Sequence, residues 1–244
     1  MRTYAIGDIH GQLDMLRAAH DRILADRDIT GDDAAPVVHL GDYCDRGPDS
    51  SGVLQFLIDG MQAGQPWRAL LGNHDRIFRR FVEGGALMDA RLRADLTWFS
   101  PGMGGRQTMG SYGVEVTNSF VPSAVHTEAN QQVPQAHIKF MASLETYIET
   151  DDLVFVHAGI LPGVPMAEQD EDDLVWIRDG FLEDTRDHGK LVVHGHTALD
   201  HPMHCGNRVN LDSGAGYFRP LTVAVFEGRD CWHLTDNGRM PLLP

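Results

Sequence analysis

Cysteine is scarce: the three residues, Cys44, Cys205 and Cys231, are an odd number and lack the paired spacing of a disulfide framework or a thiolate metal site. Free thiols and a reducing compartment are therefore expected. No apolar stretch is long enough for a signal peptide or a membrane span, and the chain runs directly from Met1 into a strand-like segment ending at Ile6. This predicts a cytoplasmic protein with no membrane partner. Basic residues are also few, 20 Lys and Arg against 35 Asp and Glu, giving a formal charge of −15 without a basic cluster. A broad nucleic-acid footprint is excluded on that ground. Low-complexity tracts and internal repeats are missing, and 42% hydrophobic with 23% charged residues is the balance of a folded globular chain. The length fits one αβ domain over 1–244, with room for an inserted cap.

What the sequence does contain is a series of short apolar runs, each ending in polar residues that could carry chemistry. Thr3 to Ile6 breaks into Gly7-Asp8-Ile9-His10-Gly11, and in extended backbone Asp8 and His10 would point the same way and could share one ion. Pro36 to Leu40 runs into Gly41-Asp42-Tyr43-Cys44-Asp45-Arg46-Gly47, which sets two carboxylates and a guanidinium between glycines. Trp67 to Leu71 ends in Gly72-Asn73-His74-Asp75, Leu153 to Val156 in His157-Ala158-Gly159, and Leu191 to Val193 in His194-Gly195-His196-Thr197. Any one of these could be a capping Asp or a surface ion pair. Repetition at successive strand ends, where open αβ sheets place their sites, argues for a shared centre.

Between the strands, Leu13, Leu16, Ile23 and Leu24 recur at helical spacing, as do Val53, Leu54, Leu57 and Ile58, so the first part reads βαβα. Residues 79–135 read as a helical cap, with helices expected at Ile77 to Val82 and Leu87 to Trp98, and a helix from Gln135 to Tyr147 after it. Gly102 to Tyr112 is expected to be a loop, its Gly104-Gly105 pair being weak evidence for an anion cradle. Leu174-Val175-Trp176-Ile177 is an apolar run that leads to Arg178. The tail from Arg208 reads as strands completing a second sheet, and His201, His204 and Cys205 match no standard zinc spacing.

In this order, the Asp8-Ile9-His10-Gly11, Gly41 to Gly47, Gly72-Asn73-His74-Asp75, His157-Ala158-Gly159 and Gly195-His196-Thr197 motifs resemble the calcineurin-like metallophosphoesterases. Asp-Arg-Gly together with Asn-His-Asp resembles the phosphoprotein phosphatase branch, in particular its bacterial and phage-type serine/threonine phosphatases. The resemblance implies an α/β fold, a central β-sandwich with helices on both outer faces and a two-metal centre. It implies Asp8, His10 and a bridging Asp42 on one ion, and Asp42, Asn73, His157 and His196 on the other. His74 and Asp45 would form the acid pair, and Arg46, Arg178 and Asn73 would bind phosphate; His194 would be a neighbour of the ligands.

The donor chemistry agrees. Carboxylate, imidazole and amide oxygen suit Mn²⁺ first, with Fe or Zn²⁺ also compatible, and all-oxygen Ca²⁺ is a poor fit. Two such ions activate a bridging water for in-line attack at phosphorus and also supply the positive charge that this acidic chain otherwise lacks. The expected activity is a metal-dependent phosphomonoester hydrolase acting on phosphoserine or phosphothreonine in proteins. One alternative is a symmetrical diadenosine tetraphosphate hydrolase, and another, of a different class, is an inactive metal-binding scaffold. The presence of His74, Arg46 and every expected ligand disfavours the scaffold.

Overall fold

The computed structural model describes residues 2–244. β1 (Arg2–Ile6), β2 (Val37–His39) and β3 (Trp67–Ala69) are parallel neighbours connected by α1 (Leu13–Thr30) and α2 (Ser50–Gln62). α3 (Asn73–Gly84) leaves β3, and α4 (Gly105–Ser111), α5 (Pro122–Gln132) and α6 (Gln135–Ala142) follow. Next come β4 (Tyr147–Glu149), β5 (Leu153–Val156), α7 (Glu171–Trp176), β6 (Leu191–His194), β7 (Met203–His204) and β8 (Arg208–Asn210). β9 (Val223–Glu227), β10 (Asp230–Thr235) and β11 (Gly238–Pro241) close the chain.

Two sheets form, a six-stranded one in the order β11-β10-β9-β1-β2-β3 and a five-stranded one in the order β4-β5-β6-β8-β7. Strand alternation assigns each face. Ala5, Val38, Ala224 and Phe226 point between the sheets to meet Phe155, Leu191, Val193 and Val209. Tyr4, Ile6, Val223 and Val225 point outward to Leu16, Ile23, Leu54 and Phe78 of α1, α2 and α3. On the opposite outside, Val154, Val156 and Val192 are covered by Leu174 of α7 and by Phe181. The fold is therefore the expected β-sandwich flanked by helices. Burying both faces of β1, β5 and β6 leaves the strand ends as the place where polar groups can gather.

The local expectations failed in four places. Leu87 to Trp98 is a series of turns rather than a helix. Buried Asp89 accepts from Arg76 Nε and Nη2, both at 2.9 Å, and from Arg80 at 2.7 Å, while Trp98 N donates to Leu87 O at 2.7 Å. These tertiary bonds fix a path that helical spacing does not describe. Gly105–Ser111 is helical despite its glycines. The helix begun at Gln135 stops at Ala142, because Tyr147–Glu149 is drawn into pairing with Val154–Val156. In the tail, β7 and β8 join the second sheet, but β9, β10 and β11 extend the first through the β1–β9 ladder. In addition, Leu174–Trp176 belongs to α7, which is capped by Asp170, whose side chain accepts from Asp172 N at 2.8 Å. No helix among the described residues is long and apolar enough to cross a membrane.

Candidate metal centre

The five motif turns converge at the strand ends. Asp8 follows β1, Asp42 to Arg46 follow β2, Asn73 and His74 open α3, His157 follows β5 and His196 follows β6. Asp8, His10, Asp42, Asp45, Asn73, His74 and His157 are almost fully buried. The turns that carry them are contorted: His10, Asp42, Asp45, Arg46 and His196 all have φ between +48° and +74°, a region that side chains other than glycine rarely occupy. His10 is therefore not extended as its spacing from Asp8 suggested. Asp75 steadies the central turn, its carboxylate accepting from Tyr43 N at 2.9 Å, Cys44 N at 3.3 Å and Gly72 N at 3.1 Å.

Asp42 stands at the middle. Its Oδ2 faces His10 Nε2 at 3.4 Å, and its Oδ1 faces His157 Nε2 at 3.5 Å and accepts from His74 N at 3.0 Å. Two groups of donor atoms, each within 4.8 Å of one another, share this carboxylate: His10, Asp42 and His74, and Asp42, His157 and His196. His201, His204 and Cys205 belong to neither. Asn73 joins the second group, its Oδ1 lying 2.8 Å from His196 Nδ1 and 3.0 Å from His157 Nε2. Asp8 sits behind, its Oδ2 accepting from His196 N at 2.9 Å.

Hydrogen bonding decides what these atoms want. His157 Nδ1 donates to Leu40 O at 2.9 Å, and His10 Nδ1 donates to Cys44 O at 2.9 Å, so each neutral ring turns a lone pair inward on Nε2. Burial, aided for His10 by the Arg46 guanidinium, lowers both rings' pKa and keeps them neutral. His157 Nε2 therefore meets Asn73 Oδ1 and Asp42 Oδ1 as three acceptors with no hydrogen among them. Asp8 Oδ1 and His196 Nε2 are buried without a hydrogen-bond partner among the described residues. Convergent acceptors and orphaned polar atoms of this kind are satisfied by a cation, so the residues fit divalent metal.

The carboxylates tell the same story. Burial, together with Asp212 and Asp42, raises the Asp8 pKa well above the usual carboxyl value. Burial and Asp42 raise Asp212 to about 6. In protein stripped of divalent ions, a raised carboxyl pKa means the native state holds its proton more tightly than the unfolded chain does. The associated stability is complete below about pH 4 and lost as pH rises through about 6. The chelated protein should thus lose on the order of 2 kcal/mol between about pH 4 and 7 from this group. Denaturant titrations of Asp212→Asn should show a shallower fall; an unchanged pH slope would contradict the assignment.

Beside the donor groups, His74 Nδ1 lies 2.6 Å from Asp45 Oδ2. Arg46 reaches across both rings, donating from Nη1 to His10 Nε2 at 2.7 Å and from Nη2 to His74 Nε2 at 3.0 Å, with Tyr217 under its guanidinium at 5.0 Å. Arg178 donates to His196 O at 3.3 Å. Together with Asp212, Tyr217 and Arg219, the two arginines line an open pocket of about 360 Å³ over the centre.

A calcineurin-like phosphoesterase family model matches residues 1–226. The chain belongs to that family. Among curated relatives, this phosphoesterase is 21% identical to the asymmetrical bis(5'-nucleosyl)-tetraphosphatase PrpE of Oceanobacillus iheyensis, over 94% of its own length and 90% of that protein's. Among solved structures it superposes on a candidate diadenosine tetraphosphatase with a TM-score of 0.62 and 21% identity, covering 99% of this chain and 94% of that one. The cold-active protein-tyrosine phosphatase of a Shewanella species gives 0.64 and 18% identity, covering 99% and 80%. These likenesses agree on the fold, and the family is one of metal-dependent phosphoester hydrolases.

Several residues of this phosphoesterase centre escaped the sequence reading. Asp212 directly follows the strand read at Arg208 to Leu211, so the strand-end rule that found Asp8 and Asp42 would have found it too. Tyr217 lies in a turn with no such signal, and neither do Trp98 and Thr108, which bond Asp45 from the segment after α3. Cys44 is buried, and burial followed by the Asp45 and Asp75 charges pushes its thiol well above the usual value, so it is an unreactive neighbour.

Proposed function

We propose that this metallophosphoesterase hydrolyses phosphomonoesters with poor leaving groups, dephosphorylating phosphoserine and phosphothreonine in proteins. The observation that carries the reading is the pairing of the shared Asp42 carboxylate with a buried His74–Asp45 couple 2.6 Å apart. In this proposal Asp8, His10 and Asp42 would hold one ion, and Asp42, Asn73, His157 and His196 would hold the other. Mn²⁺ is the first choice, with Fe or Zn²⁺ as alternatives. When bound, two such ions supply a water nucleophile usable at neutral pH and neutralise charge at phosphorus.

The chain's own residues do the rest. His10 and His157 present lone pairs because backbone carbonyls hold the other ring nitrogen of each. Arg46 and Arg178 bind the phosphate oxygens with their planar guanidinium groups, assisted by Asn73. With Arg46 turned from His74 onto the phosphate, His74 Nε2 is free to deliver a proton to the departing oxygen, and Asp45 holds the ring through Nδ1. A serine or threonine alkoxide needs that proton, whereas the phosphate leaving group of an anhydride scarcely does. Residues 79–135 are proposed as a cap inserted in one domain, since Trp98, Phe99, Val125 and Ala129 share a core with Tyr4 and Ile6.

The second reading is dinucleoside polyphosphate hydrolysis. It is favoured by Tyr217 and Arg219, which add an aromatic face and a further cation beside Arg46 and Arg178, and by the names of the two tetraphosphatase relatives. Rates on a phosphothreonine peptide, diadenosine tetraphosphate and a bis-aryl phosphate, measured side by side with Mn²⁺, separate the two. The peptide should be turned over fastest. A dominant rate on the dinucleotide overturns the first reading, and no turnover of any of them leaves the scaffold.

A further inference from the structure

Asp45 is wholly buried, and every bond that orients its carboxylate, apart from the one to His74, comes from outside the motif turns. Trp98 Nε1 donates to Oδ1 at 3.0 Å and to Oδ2 at 2.8 Å, and Thr108 Oγ1 donates to Oδ1 at 2.6 Å. The Thr108 hydroxyl also accepts from Asp45 N at 2.8 Å and lies 3.1 Å from Ser50 Oγ. The arrangement is complete: two side-chain donors take up the lone pairs that His74 leaves free. We infer that Trp98 and Thr108 are positioning residues for the acid pair, so that the segment between α3 and α5 assembles the proton donor of the reaction proposed above.

Three further observations carry the inference. The Trp98 ring is fixed independently of its hydrogen bond, stacked on Phe78 at 5.4 Å and packed on Phe81 and Phe99 at 5.0 Å. Its N–H is therefore aimed rather than incidental. Gly104, with φ of +101°, lies so close beneath the catalytic turn that a Cβ there would sit 2.2 Å from Arg46 N and 2.7 Å from Asp45 Cβ. A Cβ on Gly105 would fall 2.6 Å from the Trp98 ring. The glycine pair is thus a seat that lets this segment reach Asp45, not an anion cradle. Finally, Asp45 and Arg46 occupy left-handed backbone at +74° and +67°, a turn that needs outside support to persist. Arg46 Nε donates to Gly102 O at 3.3 Å, adding to that support from the same segment.

A buried carboxylate that loses a donor is left underbonded and free to rotate, and the imidazole it orients rotates with it. The damage should appear in proton delivery and spare the phosphate and metal sites. Trp98→Phe keeps the stacked ring but removes the N–H, Thr108→Val removes the hydroxyl at nearly constant shape, and Thr108→Ser keeps the hydroxyl. On a phosphothreonine peptide, kcat of Trp98→Phe and Thr108→Val should fall about 10- to 100-fold with KM changed less than about threefold. On 4-nitrophenyl phosphate, whose leaving group departs without a proton, kcat should fall less than about threefold. Thr108→Ser should stay near the parent on both, and all variants should keep the parent's metal content per chain. His74→Asn in the same assays separates the layers. If it discriminates between the substrates while Trp98→Phe and Thr108→Val do not, the positioning role is wrong and the acid pair stands. If His74→Asn does not discriminate, both fall. Should Trp98→Phe not fold, the contrast between Thr108→Val and Thr108→Ser decides alone.

Discussion

Asp42→Asn should purify with less than one divalent ion per chain and hydrolyse phosphoesters at least about 10³-fold more slowly than the parent. The substitution changes almost nothing in shape, which is why it is informative. The amide oxygen can still accept from His74 N, the bond now made by Oδ1 at 3.0 Å. The amide nitrogen, in place of Oδ2, would lie 3.4 Å from His10 Nε2, which already accepts from Arg46 Nη1. One substitution would therefore remove a negative charge and put an N–H donor where a carboxylate oxygen proposed to bind metal now stands. Elemental analysis that still finds two ions per chain would rule out a carboxylate shared between the two sites.

His74→Asn should behave differently. Turnover of a phosphothreonine peptide should drop roughly 10²- to 10⁴-fold, the usual worth of a general acid, with metal content unchanged. The metal measurement matters because His74 shares a donor group with His10 and Asp42. Its Nδ1 is held by the Asp45 carboxylate, whereas His10 Nδ1 is held by a backbone carbonyl, and Arg46 reaches the Nε2 of both rings, so metal content is what separates acid from ligand. Loss of an ion in this variant would make His74 a ligand. Full activity on an unactivated phosphoester would remove its role as acid.

The parts of this molecule that the sequence revealed are those in which local pattern and tertiary role coincide. β1, β2, β5 and β6 are short apolar runs because both of their faces are covered, and each ends in a turn whose residues must be polar to serve the centre. α1 and α2 bury one face only and so show helical spacing. The segment between α3 and α5 lacks that agreement. Leu87 and Trp98 are apolar at spacings a helix could use, but the path between them is set by Arg76 and Asp89, a buried charge pair thirteen positions apart whose partnership no local pattern announces. Trp98 reads as one more core residue, and only its indole nitrogen, aimed at a carboxylate 53 positions earlier, separates it from Phe99. Likewise, nothing in Val223 to Glu227 says that it will pair with β1 rather than extend the second sheet.

Among the described residues, five of the six non-glycine residues with left-handed backbone, His10, Asp42, Asp45, Arg46 and His196, belong to the proposed centre; the sixth, Phe218, adjoins Tyr217 at its rim. Glycine or asparagine would occupy such backbone with less strain. A laboratory selection for heat resistance alone would therefore favour changes at these positions, and the hardiest survivors would be the least active. Mutations that raise the melting point without that loss should be sought elsewhere, on the solvent faces of α1 and α5, where no group near the centre is held in tension.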